Sequence, residues 1–420
     1  MRARLIYFLI STSLLFVTVP TWSAVKAGAS CNKIGAIKVS SGKKYTCVKQ
    51  GKKLAWDKGQ VIKKSAPQQS PTSATSLSPS PTPAPSLIPT PTPSSSPTLK
   101  PSHPEEPKTF LDIKNYEQIT YWAWKKSADK ISNSSSFTNE VEIQIGPNSG
   151  ILNKDPLAAT KIASRLFAGF AQPTKLTFIS YSFADVNWAQ SLVEKLIDDQ
   201  KLLEQIQSPN QGGKDNALTT CPSIDRCHSS QPFTNRAGKS IVIAGFTESR
   251  LTNESETKGQ LQAHEFTHVV QQHQFIGSKR ELEGLSSLKK HSPWWLVEGG
   301  AEFGAFASMN YLSYEKYLSA RTQDVYGVPK QTINWFEQFI NPPDNQYWLK
   351  FNSTGEIYNV GFMVTEIFTA VKGPDSQMQL FKLFADGKDM DAAFESVFGV
   401  PWKTTVPIIA KLISEERARG

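Results

Sequence analysis

The sequence predicts an α+β fold. A small sheet-containing N-terminal part should lead into a mainly helical C-terminal half, packed around the helix that carries "AHEFTHVVQQ" (263–272), with a small disulfide module in front. Three observations carry this reading. Segment "EVEIQI" (140–145) alternates like a strand, and "KLTFISYS" (175–182) and "KSIVIAGF" (239–246) also read as short strands. From Ser292 to Arg419 apolar residues instead recur at helical spacing. A proline-, serine- and threonine-rich stretch, 65–107, divides the globular part from a short, lysine-rich segment.

Residues 1–29 read as a secretory leader. Arg2 and Arg4 precede the apolar run Leu5 to Val19, and Ala27-Gly28-Ala29 fits a small-residue cleavage site. A spanning helix needs about 20 apolar residues, so a leader that is removed is favoured over an anchor. Export places the protein outside the cell, where cysteines pair. The four cysteines fall into two local pairs, Cys31 with Cys47 and Cys221 with Cys227, and both are expected to be disulfides. Neither pair has the C-x2-C spacing of a structural zinc site.

Residues 30–64 form the basic module. The segment 31–64 holds ten lysines against one acid, Asp57, so it alone equals the whole chain's formal net charge of +9. The leader is also basic, which leaves 65–420 slightly acidic, and a nucleic-acid partner is therefore not expected. Glycine-lysine turns separate short apolar runs, Tyr45 and Trp56 can pack, and so small a core needs a disulfide staple. The pattern resembles the short Cys-Gly-Tyr-Cys-Leu-Trp modules of secreted actinobacterial proteins. Its charge suggests attachment to an anionic cell-wall or membrane surface; a merely solvated basic face is the alternative.

The linker 65–107 holds 13 of the chain's 27 prolines. Such a segment cannot bury a core and reads as an extended spacer reaching on the order of 100 Å. The domain 108–420 follows. It opens with a helical stretch from about Thr109, and then alternates strand and helix signals: a helix at 156–170 and another from about Val186 to Leu203.

Within "AHEFTHVVQQ", His264 and His268 stand four apart. On a helix such residues share a face, with Cβ atoms about 5–6 Å apart, so both can reach one Zn²⁺ at about 2.0–2.1 Å. Glu265 is rotated about 100° from His264, which sets it beside the metal as a proton acceptor for the attacking water. Ala263, Phe266 and Val270 supply the apolar stripe. Gln271 and Gln274 stand where a metzincin would have Gly and His, which excludes that class.

Zinc needs a third protein ligand if a fourth position is to stay open. "SPWWLVEGGAEFGAF" (292–306) offers Glu298 and Glu302, one helical turn apart, with Ser292 and Pro293 as its start signal. One carboxylate can complete the site and the other can hold a ligand histidine. Among the other histidines, His273 reads as structural or exposed, while His291 and His228 carry weak catalytic readings.

HExxH followed by "WWLVEGGAEF" resembles the gluzincin metallopeptidases of the MA clan, in particular those with a W-L-x-E-G-x-A-E second motif. "YNVGFMVTEIF" (358–368) and "LFADGKDMDAAFESVFGV" (383–400) add weaker likeness, so the resemblance spans roughly 239–420. It implies His264, His268 and Glu298 as ligands of one zinc ion, Glu265 as general base and acid, and Glu302 in contact with a ligand. The 29 residues between His268 and Glu298 exceed the gap of thermolysin-like enzymes. Tyr358 is the candidate that stabilises the oxyanion. The function expected is that of a secreted or cell-surface zinc metallopeptidase acting on a peptide or protein substrate. The alternative is a cell-surface binding protein whose peptidase-like domain is inactive.

Overall fold

In the computed structural model the structure describes residues 27–30, 37–40, 43–51, 53–58, 60–61, 103–137, 139–149, 155–196, 217, 220–227, 229–247, 258–281, 285–344, 347–348, 350 and 355–419. The chain forms two compact units, 1–95 and 96–420. Apart from 27–29 and 103–107, the expected leader and linker lie outside the described residues, as do Cys31 and His228.

The first unit is an antiparallel sheet. Strand β2 (Lys43–Gln50) pairs with β1 (Ile37–Ser40), β3 (Lys53–Trp56) and β4 (Gln60–Val61). Gly51, with φ +63°, follows β2 in the turn, a backbone state that glycine adopts without steric cost. Tyr45, Cys47 and Trp56 bury against one another with Leu54 beside them. A core of this size cannot hold a fold alone, and Cys47 is disulfide-bonded.

The second unit is of the expected α+β class. Helix α1 (Tyr116–Asn133) starts where the Asn115 side chain accepts from Gln118 N, later than the helical stretch expected from Thr109. Then β5 (Glu140–Ile145), α2 (Pro156–Leu166), β6 (Lys175–Tyr181), α3 (Val186–Leu196), β7 (Ser230–Thr234) and β8 (Lys239–Gly245) follow. The sheet order is β5-β6-β8-β7; the first three strands run parallel and β7 runs antiparallel to β8. Strands and helices therefore alternate, because parallel neighbours need crossover connections.

This explains why β6 and β8 are buried on both faces. Leu176, Phe178 and Val242 face the main core. Ile179, Tyr181, Ile241 and Ile243 face a second cluster formed with Val186, Ala189 and Val193 of α3. The Cys221–Cys227 disulfide closes that cluster. Strand β7, "SQPFT", has no apolar alternation and was not expected from sequence. Pro232 lacks a backbone N–H, a residue confined to sheet edges, and β7 is one of the two edge strands.

The helical half begins with α4 (Gln260–His273). It continues with α5 (Leu285–His291), α6 (Trp294–Met309), α7 (Tyr314–Gly327), α8 (Ile333–Ile340), α9 (Glu356–Lys372), α10 (Asp375–Ala385), α11 (Met390–Phe398) and α12 (Trp402–Arg419). Helix α9 is buried on nearly all sides from Val360 to Val371, as a helix at the centre of a core must be. It packs against α1 and α6, and α6 packs in turn against α4. The α6–α9 approach is backbone to backbone: a Cβ on Gly299 would overlap the Gly361 backbone, and one on Gly361 would overlap the carbonyl of Trp295.

Candidate metal centre

Helix α4 is held by the apolar stripe expected of it. Ala263, Phe266 and Val270 are fully buried in the main core. That fixes the opposite side of the helix, with His264 and His268, against α6. Helix α6 begins at Trp294, with Pro293 rather than Ser292 at its cap. Trp295, Leu296 and Val297 anchor it in the core, and Glu298 and Glu302 are presented to α4.

Three ligand atoms converge. His264 Nε2 lies 3.1 Å from His268 Nε2. Glu298 Oε2 lies 3.2 Å from His268 Nε2 and 3.8 Å from His264 Nε2. Among the described residues these three form the one histidine, cysteine or acidic group whose ligand atoms, one from each residue, all lie within 4.8 Å of one another. All three are buried, at 8%, 1% and 4% exposure respectively.

The outer nitrogens fix the tautomers. His264 Nδ1 lies 2.8 Å from Glu302 Oε2, and a carboxylate can only accept, so Nδ1 carries the proton. His268 Nδ1 lies 2.9 Å from Gln271 Oε1, while Gln271 Nε2 donates to Val297 O at 2.9 Å. The amide is thus oriented with its oxygen towards the ring, and His268 Nδ1 also donates. In neutral rings both Nε2 atoms then turn lone pairs towards each other and towards a buried carboxylate. Such a set could hold a metal ion.

Without a metal, a proton is the available cation. Burial opposes charge on His264, but Glu298 and Glu302 outweigh it and hold its pKa well above the usual histidine range. Burial also opposes charge on Glu298. Lys289 and His268 outweigh that and hold its carboxyl well below the usual range. Two nitrogens and one carboxylate oxygen, with both rings oriented from behind, match the donor set of a catalytic zinc site with two histidines and one glutamate.

Glu265 is 5% exposed and does not enter the triad. Its Oε2 is buried with no hydrogen-bond partner. Burial raises its pKa, while the histidines and the nearby Ser230 hydroxyl pull the other way; that hydroxyl makes no hydrogen-bond contact. Tyr358, on α9, is 38% exposed, and its ring is nearly parallel to that of His264, 6.1 Å away between centroids. The negative charge of Glu298 and burial both push its phenol pKa up, so it remains a hydrogen-bond donor at neutral pH. Glu302 touches the outer nitrogen of His264 and does not join the triad, and its Oε1 accepts from Gln260 Nε2 at 3.1 Å.

His273 is buried away from the triad, with Nδ1 2.7 Å from Val269 O and Nε2 3.2 Å from Gly238 O, in keeping with a structural part. Sequence reasoning missed two groups. Gln271 was weighed only as a non-metzincin residue, although its place three after His268 puts it on the same helical face. Lys289, on α5, reaches Glu298 Oε1 at 2.6 Å, and nothing in its local sequence signals this.

Comparison with known proteins returns no matching family model, no matching curated protein and no matching solved structure.

Proposed function

We propose that the chain is an exported zinc metallopeptidase of the gluzincin type, with one Zn²⁺ held by His264, His268 and Glu298. The observation that carries the reading is the convergence of His264 Nε2, His268 Nε2 and Glu298 Oε2 beside a buried Glu265 whose Oε2 has no partner. When bound, zinc polarises a carbonyl and lowers the pKa of its water towards about 7. Glu265 takes a proton from the attacking water and passes it to the leaving amine. Burial pushes its pKa up, the direction that makes a carboxylate a better proton acceptor. Tyr358 keeps its phenolic proton and donates to the carbonyl oxygen as negative charge builds there. Glu302 and Gln271 hold the histidine rings.

The leader 1–29 sends this activity outside the cell. The module 30–64 is proposed to hold it on an anionic cell-wall or membrane surface, since its lysines carry the charge excess.

The test pairs zinc per protein molecule with hydrolysis of a peptide library. Glu265→Gln should keep zinc while hydrolysis falls about 10²–10⁴-fold, the usual contribution of general acid–base catalysis. His264→Ala should lose both. Near-normal hydrolysis by Glu265→Gln rejects the mechanism, and wild-type protein that takes up no zinc rejects the site. Zinc held without any hydrolysis favours the alternative, a cell-surface binding protein.

A further inference from the structure

The two carboxylate oxygens of Glu298 have different surroundings. Oε2 faces the histidines, 3.2 Å from His268 Nε2. Oε1 is turned to Lys289 Nζ at 2.6 Å. Lys289 belongs to neither motif; it sits near the end of α5, five residues before α6 begins.

Its position is tied to the start of α6 twice over. The ammonium lies 5.1 Å from the centroid of the Trp294 ring, a cation–π distance. The Trp294 indole N–H donates to the Lys289 carbonyl at 3.1 Å. The pair is also shielded, with side-chain exposures of 22% for Lys289 and 6% for Glu298. It is therefore not a water-screened surface contact of the kind that contributes little.

A carboxylate can bind a metal through one oxygen or through both. Binding through both takes a second coordination position. A catalytic zinc site needs three protein ligands and one position left for water or substrate. An ammonium on Oε1 engages the lone pairs that two-oxygen binding requires, and it fixes the plane of the carboxylate. We propose that Lys289 is a positioning residue that restricts Glu298 to one-oxygen ligation and so keeps the fourth metal position open. This rests on the zinc-site reading above.

The experiment uses the full mature chain as wild type, Lys289→Met and Lys289→Arg. Zinc affinity is measured by competition with a chelator, and coordination number by the visible spectrum of the Co²⁺-loaded protein. Wild type should show the intense absorption of a four-coordinate cobalt site. Lys289→Met should show the weaker absorption of a five-coordinate site, with zinc affinity changed about 10–100-fold, as is typical when a ligand's partner is lost. Lys289→Arg, which keeps a cationic donor for Oε1, should stay close to wild type in both. A purely structural role would lower the melting temperature and leave the cobalt spectrum unchanged.

An unchanged spectrum and affinity in Lys289→Met overturn the role of Lys289 alone. Wild type that binds neither metal overturns it together with the peptidase reading. Should Lys289→Met not fold, Lys289→Leu makes the same comparison, since it also removes the donor to Oε1; wild-type affinity and spectrum there also overturn the proposal.

Discussion

Glu302 and Gln271 act on the centre from behind. Each engages the Nδ1 of one histidine, at 2.8 and 2.9 Å, and neither belongs to the converging triad. Removing such a partner leaves the ligand in place but frees its ring and its tautomer. Groups in this position typically contribute 10–100-fold in metal affinity or activity. Glu302→Ala should therefore weaken zinc binding within that range while measurable zinc remains, and Glu298→Ala should lose far more. Chelator competition on both variants checks this. Full affinity in Glu298→Ala with none in Glu302→Ala would reverse the two assignments. Glu302 was legible in the sequence because it follows Glu298 by one turn. Lys289 was not, because its reach depends on how α5 meets α6, a relation that no local spacing encodes.

At the scale of elements, the centre depends on how closely α6 approaches α9. Gly299 directly follows Glu298, and Gly361 lies three residues beyond Tyr358, so the glycine contact sits beside both groups. A methyl at Gly299 meets backbone, which cannot turn aside. Overpacking of this kind costs about 1–3 kcal/mol. Gly299→Ala should lose that much in chemical denaturation and weaken zinc binding too, as Glu298 shifts with the helix. Gly300→Ala is the control. Its Cβ would meet the end of the Gln377 side chain, 2.6 Å from Oε1, and the loss should be smaller because a side-chain end can move. Equal losses would mean that the α6–α9 spacing does not set the site. The "EGGAEF" glycines carry no such meaning in sequence, where two glycines in a helix simply lower its propensity.

Across the whole molecule, charge and chemistry are divided along the chain. The +9 excess lies in 31–64, whereas the candidate metal centre lies in a slightly acidic domain. Electrostatic attachment weakens as salt shortens the screening length, from about 10 Å at 0.1 M to about 3 Å at 1 M. The full mature chain should pull down with anionic cell-wall polymer at low salt and release as salt rises. A chain lacking 30–64 should not bind, yet should keep its zinc. Salt-independent binding, or equal binding without the module, would reject attachment through these lysines.

What the sequence determined by itself was local. The four-residue spacing of His264 and His268, and of Glu298 and Glu302, follows from helix geometry once the apolar stripes of α4 and α6 are recognised. The strands β5, β6 and β8 were legible for the same reason, from the pattern within each run. The tertiary structure decided what depends on separate elements meeting. It made three of the strands parallel neighbours, and it recruited "SQPFT" as an edge strand through pairing with β8. It brought Glu298 Oε2 within 3.2 Å of His268 Nε2 across 29 intervening residues, and set Lys289 on the other oxygen. The physical reason is that periodicity records which face of an element is buried, while the partner of that face is selected only when distant apolar surfaces close over one another.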